Sequence, residues 1–528
     1  MTTLDWAIVA GLNLLVFGFA AWRARQTRTG EEWFVGGRAL PFWVVGLSMF
    51  ATSADGGEYV SVNGQTYEYG IAIIAGLMLG AVVGAIVSSF WVAPRMYRAG
   101  HFTNTEYLET RYGPAARVVS VLVQLQYRSS VVGTIAVSLH LVLTMAMDVP
   151  PATAWAVVLA LALATAAYAA WGGLKTVAAT DVLLSAIMVT GMVVMWVVMW
   201  QKVGGWDGME RLLHEQAAGR PPARAGEPSD RVLHPVVVLL GMVFVVTGYF
   251  VSNHAQTMKM FGVRSVWDMK MGALLAGGLI AMGFLLGGTL GALAREMYPT
   301  LERADHIYPT LLKAILMPGL LGLVVAGLLA ASISTFEGIG TAMAALFTRD
   351  LYQRVLVRDA TESHYLKVTR VATLGVVALS FVYVPFILAD KTMVNFFISI
   401  TSVFVTPLTV VYLMGMYTRV NRRSWIAGMI AGATYGIARI ICTKYYPDLL
   451  PQWLADSYVA YLWAAGITTA AMILASCAWG WETKAEELAQ HDVRESPFGK
   501  HVPGWAQPGI WAVTLLAAML LIIALVMW

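Results

Sequence analysis

The sequence predicts an all-α polytopic membrane protein with about 14 transmembrane helices. Three observations predict it. Of 528 residues, 58% are hydrophobic and 12% charged, about half the charge of a soluble chain. Apolar runs long enough to cross a bilayer recur from one end to the other. Two of these runs, five spans apart, are interrupted by polar residues at mid-depth, which a bilayer tolerates only where the backbone is buried in protein or lines a cavity.

Taken in order, the spans are expected at 5–22, 41–65, 70–94, 116–147, 151–171, 176–201, 234–261, 268–294, 318–348, 366–389, 393–418, 424–442, 457–480 and 508–527. The first follows Asp5 and precedes Arg23, Arg25 and Arg28. A cleavable signal carries its positive charge before the apolar run, so this span is read as retained. Alternate loops differ in basic content. One set holds Arg23 and Arg25, Arg95 and Arg98, Lys259 with Arg264 and Lys270, Arg349 to Arg358, and Arg419 with Arg422 and Arg423. The other set is short or mixed in sign, including the 202–233 loop with Asp207, Glu210, Glu215, Glu227 and Asp230. The positive-inside rule then puts both termini outside. No polar stretch is long enough to fold as a separate soluble domain. The formal charge of +4 is small and dispersed, which argues against a nucleic-acid partner. Cys442 and Cys477 offer neither a disulfide framework nor metal spacing. The partners expected are the lipid bilayer and a small-molecule solute, with no obligate protein partner evident.

The first interrupted run reads Phe50-Ala-Thr-Ser-Ala-Asp55-Gly-Gly-Glu58-Tyr. Asp55 and Glu58 flank a Gly56-Gly57 pair. Ionisable groups at that depth cost roughly 2.5–3.5 kcal/mol each on insertion scales, so they default to functional or paired roles. A discontinuous helix with cation-binding carbonyls fits, and so does a Gly-Gly notch between close helices. The second interruption, Thr247-Gly248-Tyr249-Phe250-Val-Ser252-Asn253-His254, is either a second broken helix or the polar end of an ordinary span. Five spans separate the two, as for repeats related by a pseudo-two-fold axis in the membrane.

Between Leu329 and Thr335 the residues Ala331, Ser334 and Thr335 stand at i, i+3 and i+4 and share one helix face. Two hydroxyls and one carbonyl make half a shell for a hard cation; hydroxyls that back-bond to the preceding turn are the plainer reading. Carbonyls of Ala51 and Ala54 would complete a five-oxygen cage. Asp181 opens the run after Gly172-Gly173 and is read either as a proton or cation relay or as a helix cap. Arg128 and Arg439 are intramembrane cations, read as gate or scaffold, and His140 as a packing residue. His214-Glu215 begins a zinc-protease pattern that fails at Ala218. With no phosphate loop, CxxC or GxSxG, nothing argues for an enzyme.

Several longer motifs converge on one family. Glu32-Trp-Phe-Val-Gly-Gly37-Arg38-Ala-Leu-Pro41, Thr103-Asn-Thr-Glu106-Tyr-Leu-Glu-Thr-Arg111-Tyr-Gly113, Gly172-Gly-Leu-Lys-Thr-Val-Ala-Ala-Thr180-Asp181 with Ile187-Met188, and Thr348-Arg-Asp350-Leu-Tyr352 occur in order. Together with Leu329-Ala-Ala331-Ser-Ile-Ser334-Thr335, the chain resembles the sodium:solute symporters over most of its length. The resemblance implies a LeuT-type fold of two inverted five-helix repeats. Residues 1–40 would be a leading helix and cytoplasmic loop, 41–201 the first repeat, 202–233 an external loop, 234–418 the second repeat and 419–528 three trailing helices. It implies a sodium site at Ala51, Ala54, Ala331, Ser334 and Thr335, with Asp181 a candidate for a second sodium. The solute would sit near Ser53, Asp55, Glu58, Tyr249, Phe250 and Asn253. The expected function is sodium-coupled symport of a small polar organic solute by alternating access in the cell membrane. Proton coupling through Asp181 or Asp55 is the alternative, and a non-transporting solute sensor the alternative of another class.

The departures bear on the solute. Sugar-transporting members carry a glutamate at Leu77, a glutamine at Ile398 and commonly a tryptophan at Phe250. Losing those partners weakens discrimination for a hydroxyl-rich solute. Asp55 and Glu58 favour a cationic or zwitterionic one instead. Glu337 stands where an aspartate is frequent and is assigned no role.

Overall fold

A computed structural model describes residues 1–217, 235–390, 392–446, 449–455, 459–482, 493–499 and 501–527. Much of the loop expected at 202–233, with Glu227 and Asp230, lies outside the described residues; 205–217 forms a helix. Among the described residues the regular elements are helical, apart from a lone parallel bridge between Leu40 and Val263.

The helices that position the site are α1 (Thr3–Ala24), α2 (Phe42–Ser53), α3 (Gly56–Tyr69), α4 (Ala72–Val87), α5 (Thr105–Tyr112), α6 (Pro114–Leu141), α7 (Pro151–Lys202), α8 (Pro235–Ser252), α9 (His254–Phe261), α10 (Val266–Met297) and α11 (Leu320–Leu346). Eleven helices among the described residues are long and apolar enough to cross a membrane. Helices α2 and Leu239–Ser252, within α8, are apolar but shorter. At 52 residues, α7 would be about 78 Å long if straight, far more than one crossing needs. It turns at Gly173, whose φ of 56° and ψ of −160° lie outside the helical region. A side chain there would also meet the Trp33 carbonyl at 2.6 Å. Reading α7 as two crossings and each interrupted helix as one is what the expected fourteen requires.

Apolar side chains alone do not drive helices together in lipid, so close backbone approach matters. On α4, Gly76, Gly80 and Gly84 form a small-residue stripe against α8. A Cβ on Gly80 would lie 2.9 Å from Val246 Cβ and 3.0 Å from Met242 O. The centre of the protein is α11, almost wholly buried, whereas α1 and Pro508–Met527 are mostly exposed on the outer surface. Asp5 of α1 reaches the start of α11, where Oδ1 accepts the Gly319 and Gly322 N–H groups at 2.7 and 2.9 Å. This caps amides that the helix itself leaves unpaired.

Candidate functional site

The first interruption is a true break. The last bond of α2 runs from Ala54 N–H to Phe50 O at 2.9 Å, and Ala54 leaves the helix with ψ of 71°. Asp55 then restarts it. Its Oδ1 accepts the Glu58 N–H at 2.7 Å, and Tyr59 N–H bonds Asp55 O at 3.1 Å. The break thus falls at Ala54–Asp55, just before the Gly56-Gly57 pair. Gly56 sits in the first turn of α3, where a Cβ would stand 2.5 Å from Ser332 Oγ on α11. A helix end leaves its last carbonyls without helical partners, here those from Ala51 to Ala54.

The second interruption is also a break. Asn253 N–H bonds Tyr249 O at 3.3 Å, and Asn253 turns extended with ψ of 114°. Its Oδ1 then accepts the Ala255 N–H at 3.0 Å, capping α9. Three residues on, Gln256 Nε2 reaches Ser53 Oγ at 2.9 Å, Tyr249 Oη at 3.0 Å and Met49 O at 3.3 Å. The breaks are therefore hydrogen-bonded to one another.

Of the helices expected to carry the ion site, the end of α2 meets α11 through Thr52, which faces Ser334 and Thr335. Thr335 Oγ1 lies 3.1 Å from Ala331 O and 3.4 Å from Thr52 O. Ser334 Oγ lies 3.3 Å from Thr52 Oγ1. Ala51, Ala331, Ser334 and Thr335 are fully buried. Such neutral oxygens in a dry interior suit a hard monovalent cation, and the Thr335 back-bond does not remove its lone pairs.

Beside them, Asp181 accepts Ser334 Oγ–H on Oδ1, and Ser48 Oγ–H at 2.5 Å on Oδ2. Asp181 lies well inside α7, beyond the Gly173 turn, so it does not cap a helix start. Lys259, expected among the loop charges, lies in the protein interior instead. It is buried in α9, with Nζ 2.5 Å from Ser48 O, 3.1 Å from Asp181 Oδ2 and in contact with Thr52 Oγ1. Glu337, left without a role, is buried and accepts from Thr180 Oγ1 at 2.9 Å.

A cavity of about 150 Å³ opens between the two breaks. Ser53, Asp55, Glu58, Tyr249 and Phe250 line it, with Leu77 and Ile398. Asn253 does not; its side-chain Oδ1 is spent on the cap. Arg128 on α6, read as gate or scaffold, is also in the wall. Its guanidinium lies 5.3 and 5.5 Å from the ring centres of Tyr127 and Tyr249, and its buried Nε has no hydrogen-bond partner. Among the described residues no ion pair joins Arg128 to Asp55 or Glu58. His140 stacks on Trp155 with ring centres 4.2 Å apart, a packing contact.

Beyond α11 the chain continues to Asp350, which accepts from Thr103 at 3.0 Å and Thr105 at 2.5 Å and pairs with Arg117. Arg117 also holds Glu109 at 2.5 Å and Glu106 at 3.5 Å. Burial and the nearby Asp350 charge push the half-buried Glu106 carboxyl up to about 7. Burial, with Arg117 and Arg38 close by, brings His101 down to about 4.

A model described as the sodium:solute symporter family matches residues 33–432. Sodium/myo-inositol cotransporter 2 of Rattus norvegicus is 25% identical over 95% of this chain and 80% of its own length. Sodium/glucose cotransporter 4 of Danio rerio is 26% identical over 89% of this chain and 77% of its own. Among solved structures, a substrate-bound, outward-open Na+-coupled sialic acid symporter is similar with a TM-score of 0.76 at 19% identity, covering 92% of this chain and 100% of that one. Mhp1, a nucleobase-cation-symport-1 family transporter, gives a TM-score of 0.51 at 12% identity over 84% and 94% of the two chains. At such identities the solved structures speak to the fold alone.

Proposed function

The chain belongs to the sodium:solute symporter family and is a sodium-coupled symporter, a multi-pass membrane protein and not an enzyme, and from that premise we propose where its ion and solute bind and what kind of solute it carries. Sodium sits among the carbonyls of Ala51, Ala54 and Ala331 and the hydroxyls of Ser334 and Thr335. Supporting this are the helix-end carbonyls of α2, which have no partner within the helix, and the packing of that end on α11, with Thr335 Oγ1 3.4 Å from Thr52 O. The ion thereby joins a broken helix of one repeat to a continuous helix of the other, the repeats being 41–201 and 234–418 with 419–528 trailing. Coupling follows if ion and solute both bind one state better than the other, since equal affinity shifts nothing. Each charge carried inward also gains about 2.3 kcal/mol per 100 mV. The basic loops lie inside and both termini outside.

The solute occupies the cavity between the breaks, and we read it as a small zwitterion. The observation carrying this is Arg128 in the same wall as Asp55 and Glu58. The curated relatives are named for glucose and myo-inositol, neutral polyols. A neutral polyol here would leave buried charged groups without a counter-charge. It would also meet apolar Leu77, Ile398 and Phe250 where hydrogen bonds are needed. Reconstituted vesicles with an inward sodium gradient test this, using labelled amino acids, quaternary amines, carboxylates and sugars. Sodium-dependent uptake of an amino acid, competed by other zwitterions, is expected. Uptake of a neutral sugar, with no effect of zwitterions, overturns the assignment.

A further inference from the structure

Lys259 is a buried charge that neither the sodium cage nor the solute cavity uses. It belongs to α9, the second half of the second broken helix, and is 1% exposed. Its three oxygen partners come from other helices. Ser48 O and Thr52 Oγ1 belong to α2, the first half of the first broken helix, and Asp181 Oδ2 belongs to α7. A carbonyl, a hydroxyl and a carboxylate converging in a dry interior form a cation's ligand set. Here the cation is part of the chain. A buried ammonium is retained only with such full pairing, because it has no water to turn to.

The same carboxylate is shared with the sodium site, since Ser334, one of the proposed sodium ligands, donates to Asp181 Oδ1. Both oxygens of Asp181 are therefore engaged: Ser334 on one, Ser48 and Lys259 on the other. Thr52 Oγ1, touched by Lys259, is itself 3.3 Å from Ser334 Oγ. A mobile cation at Asp181 would be in close quarters with the ammonium, in a medium that screens their repulsion poorly. Glu337 is near enough for its charge to act on both Asp181 and Lys259, but its carboxylate bonds Thr180 and supplies no oxygen to the ammonium.

Resting on the sodium cage proposed above, we infer that Lys259 is a tethered cation that fills the second ion position beside Asp181, so that each chain binds one sodium ion and no more. The lysine supplies permanently the charge that a second sodium would have brought and released. It also clasps the second broken helix to the first whether or not sodium is bound.

The test counts sodium directly, by equilibrium binding of radioactive sodium to the purified full-length chain without solute. The wild type is expected to bind one ion per chain. Lys259→Gln keeps a hydrogen-bond donor for Ser48 O and Thr52 but removes the charge, and is expected to bind two. Adding Asp181→Asn to Lys259→Gln should return the count to one. A wild-type count of two, or a Lys259→Gln count that stays at one, overturns the tethered-cation assignment and leaves the cage standing. A wild-type count of zero overturns the cage and this inference with it. Should Lys259→Gln fail to fold, Lys259→Met gives the same readout.

Discussion

Gln256 Nε2 lies 2.9 Å from Ser53 Oγ, a direct hydrogen bond between the two broken helices at the edge of the solute cavity. Neither residue faces the other by local sequence; the bond exists because both helices are interrupted at the same depth. Gln256→Ala should weaken solute binding without altering sodium binding. Loss of one such bond is worth about 0.5–1.5 kcal/mol, a rise of roughly two- to tenfold in the solute concentration for half-maximal uptake. Uptake kinetics at saturating sodium would measure it.

The sodium cage makes a separate prediction. Ser334→Ala or Thr335→Ala removes one hydroxyl from the ion. Bonds to charged groups contribute about 1.5–3 kcal/mol, so the sodium needed for half-maximal uptake should rise tenfold or more. Membrane insertion should be unchanged. Sodium activation curves for the two variants check this, and an unaltered curve in both would remove the cage.

Arg128 can be separated from the ion site. Arg128→Gln should abolish uptake of a zwitterion at ordinary concentrations while the count of bound sodium stays at the wild-type value. Uptake and sodium binding measured on one preparation would show the split.

The glycine stripe predicts a stability effect with no charge involved. Gly80→Val places a branched side chain against Val246 and Met242, which already stand at contact distance. Overpacking of this kind costs about 1–3 kcal/mol. The thermal midpoint in detergent should fall, whereas Gly375→Ala, with open space around its Cβ, should leave it unchanged.

Glu106 predicts a pH effect near neutrality. Its carboxyl is raised from 4.5 to about 7 in the folded protein, by burial and by Asp350. The folded state therefore favours the protonated form. That contribution is complete below the unfolded value near 4.5 and is lost as pH rises through about 7. Thermal midpoints measured from pH 4.5 to 8 should decline for the wild type, and Glu106→Gln should flatten the decline.

Both breaks were legible because a bilayer penalises polar backbone and side chains, so Asp55, Glu58 and the Tyr249–His254 segment stand out. The site of the first break was less so. The glycines drew attention, yet Asp55 with Glu58 three residues on is itself an N-cap pattern, and it marks the restart. For Asp181 the sequence left a relay and a cap open, because Gly172-Gly173 precedes it; the helix resumes at Gly173, leaving Asp181 well inside. Lys259 was not legible at all. A lysine six residues past a break and near Arg264 reads as a loop charge, and only the continuation of α9 into the core buries it. Arg128 was visible as a membrane-depth cation, but its place in the cavity wall depends on how α6 packs between the repeats.

Asp5 binds the amides that open α11, and α11 carries Ser334 and Thr335 further along. The carboxylate that anchors this helix thus comes from Asp5 on α1, itself held by Thr2. A change at Asp5 or Thr2 would therefore reach the helix that bears both hydroxyls without altering either of them.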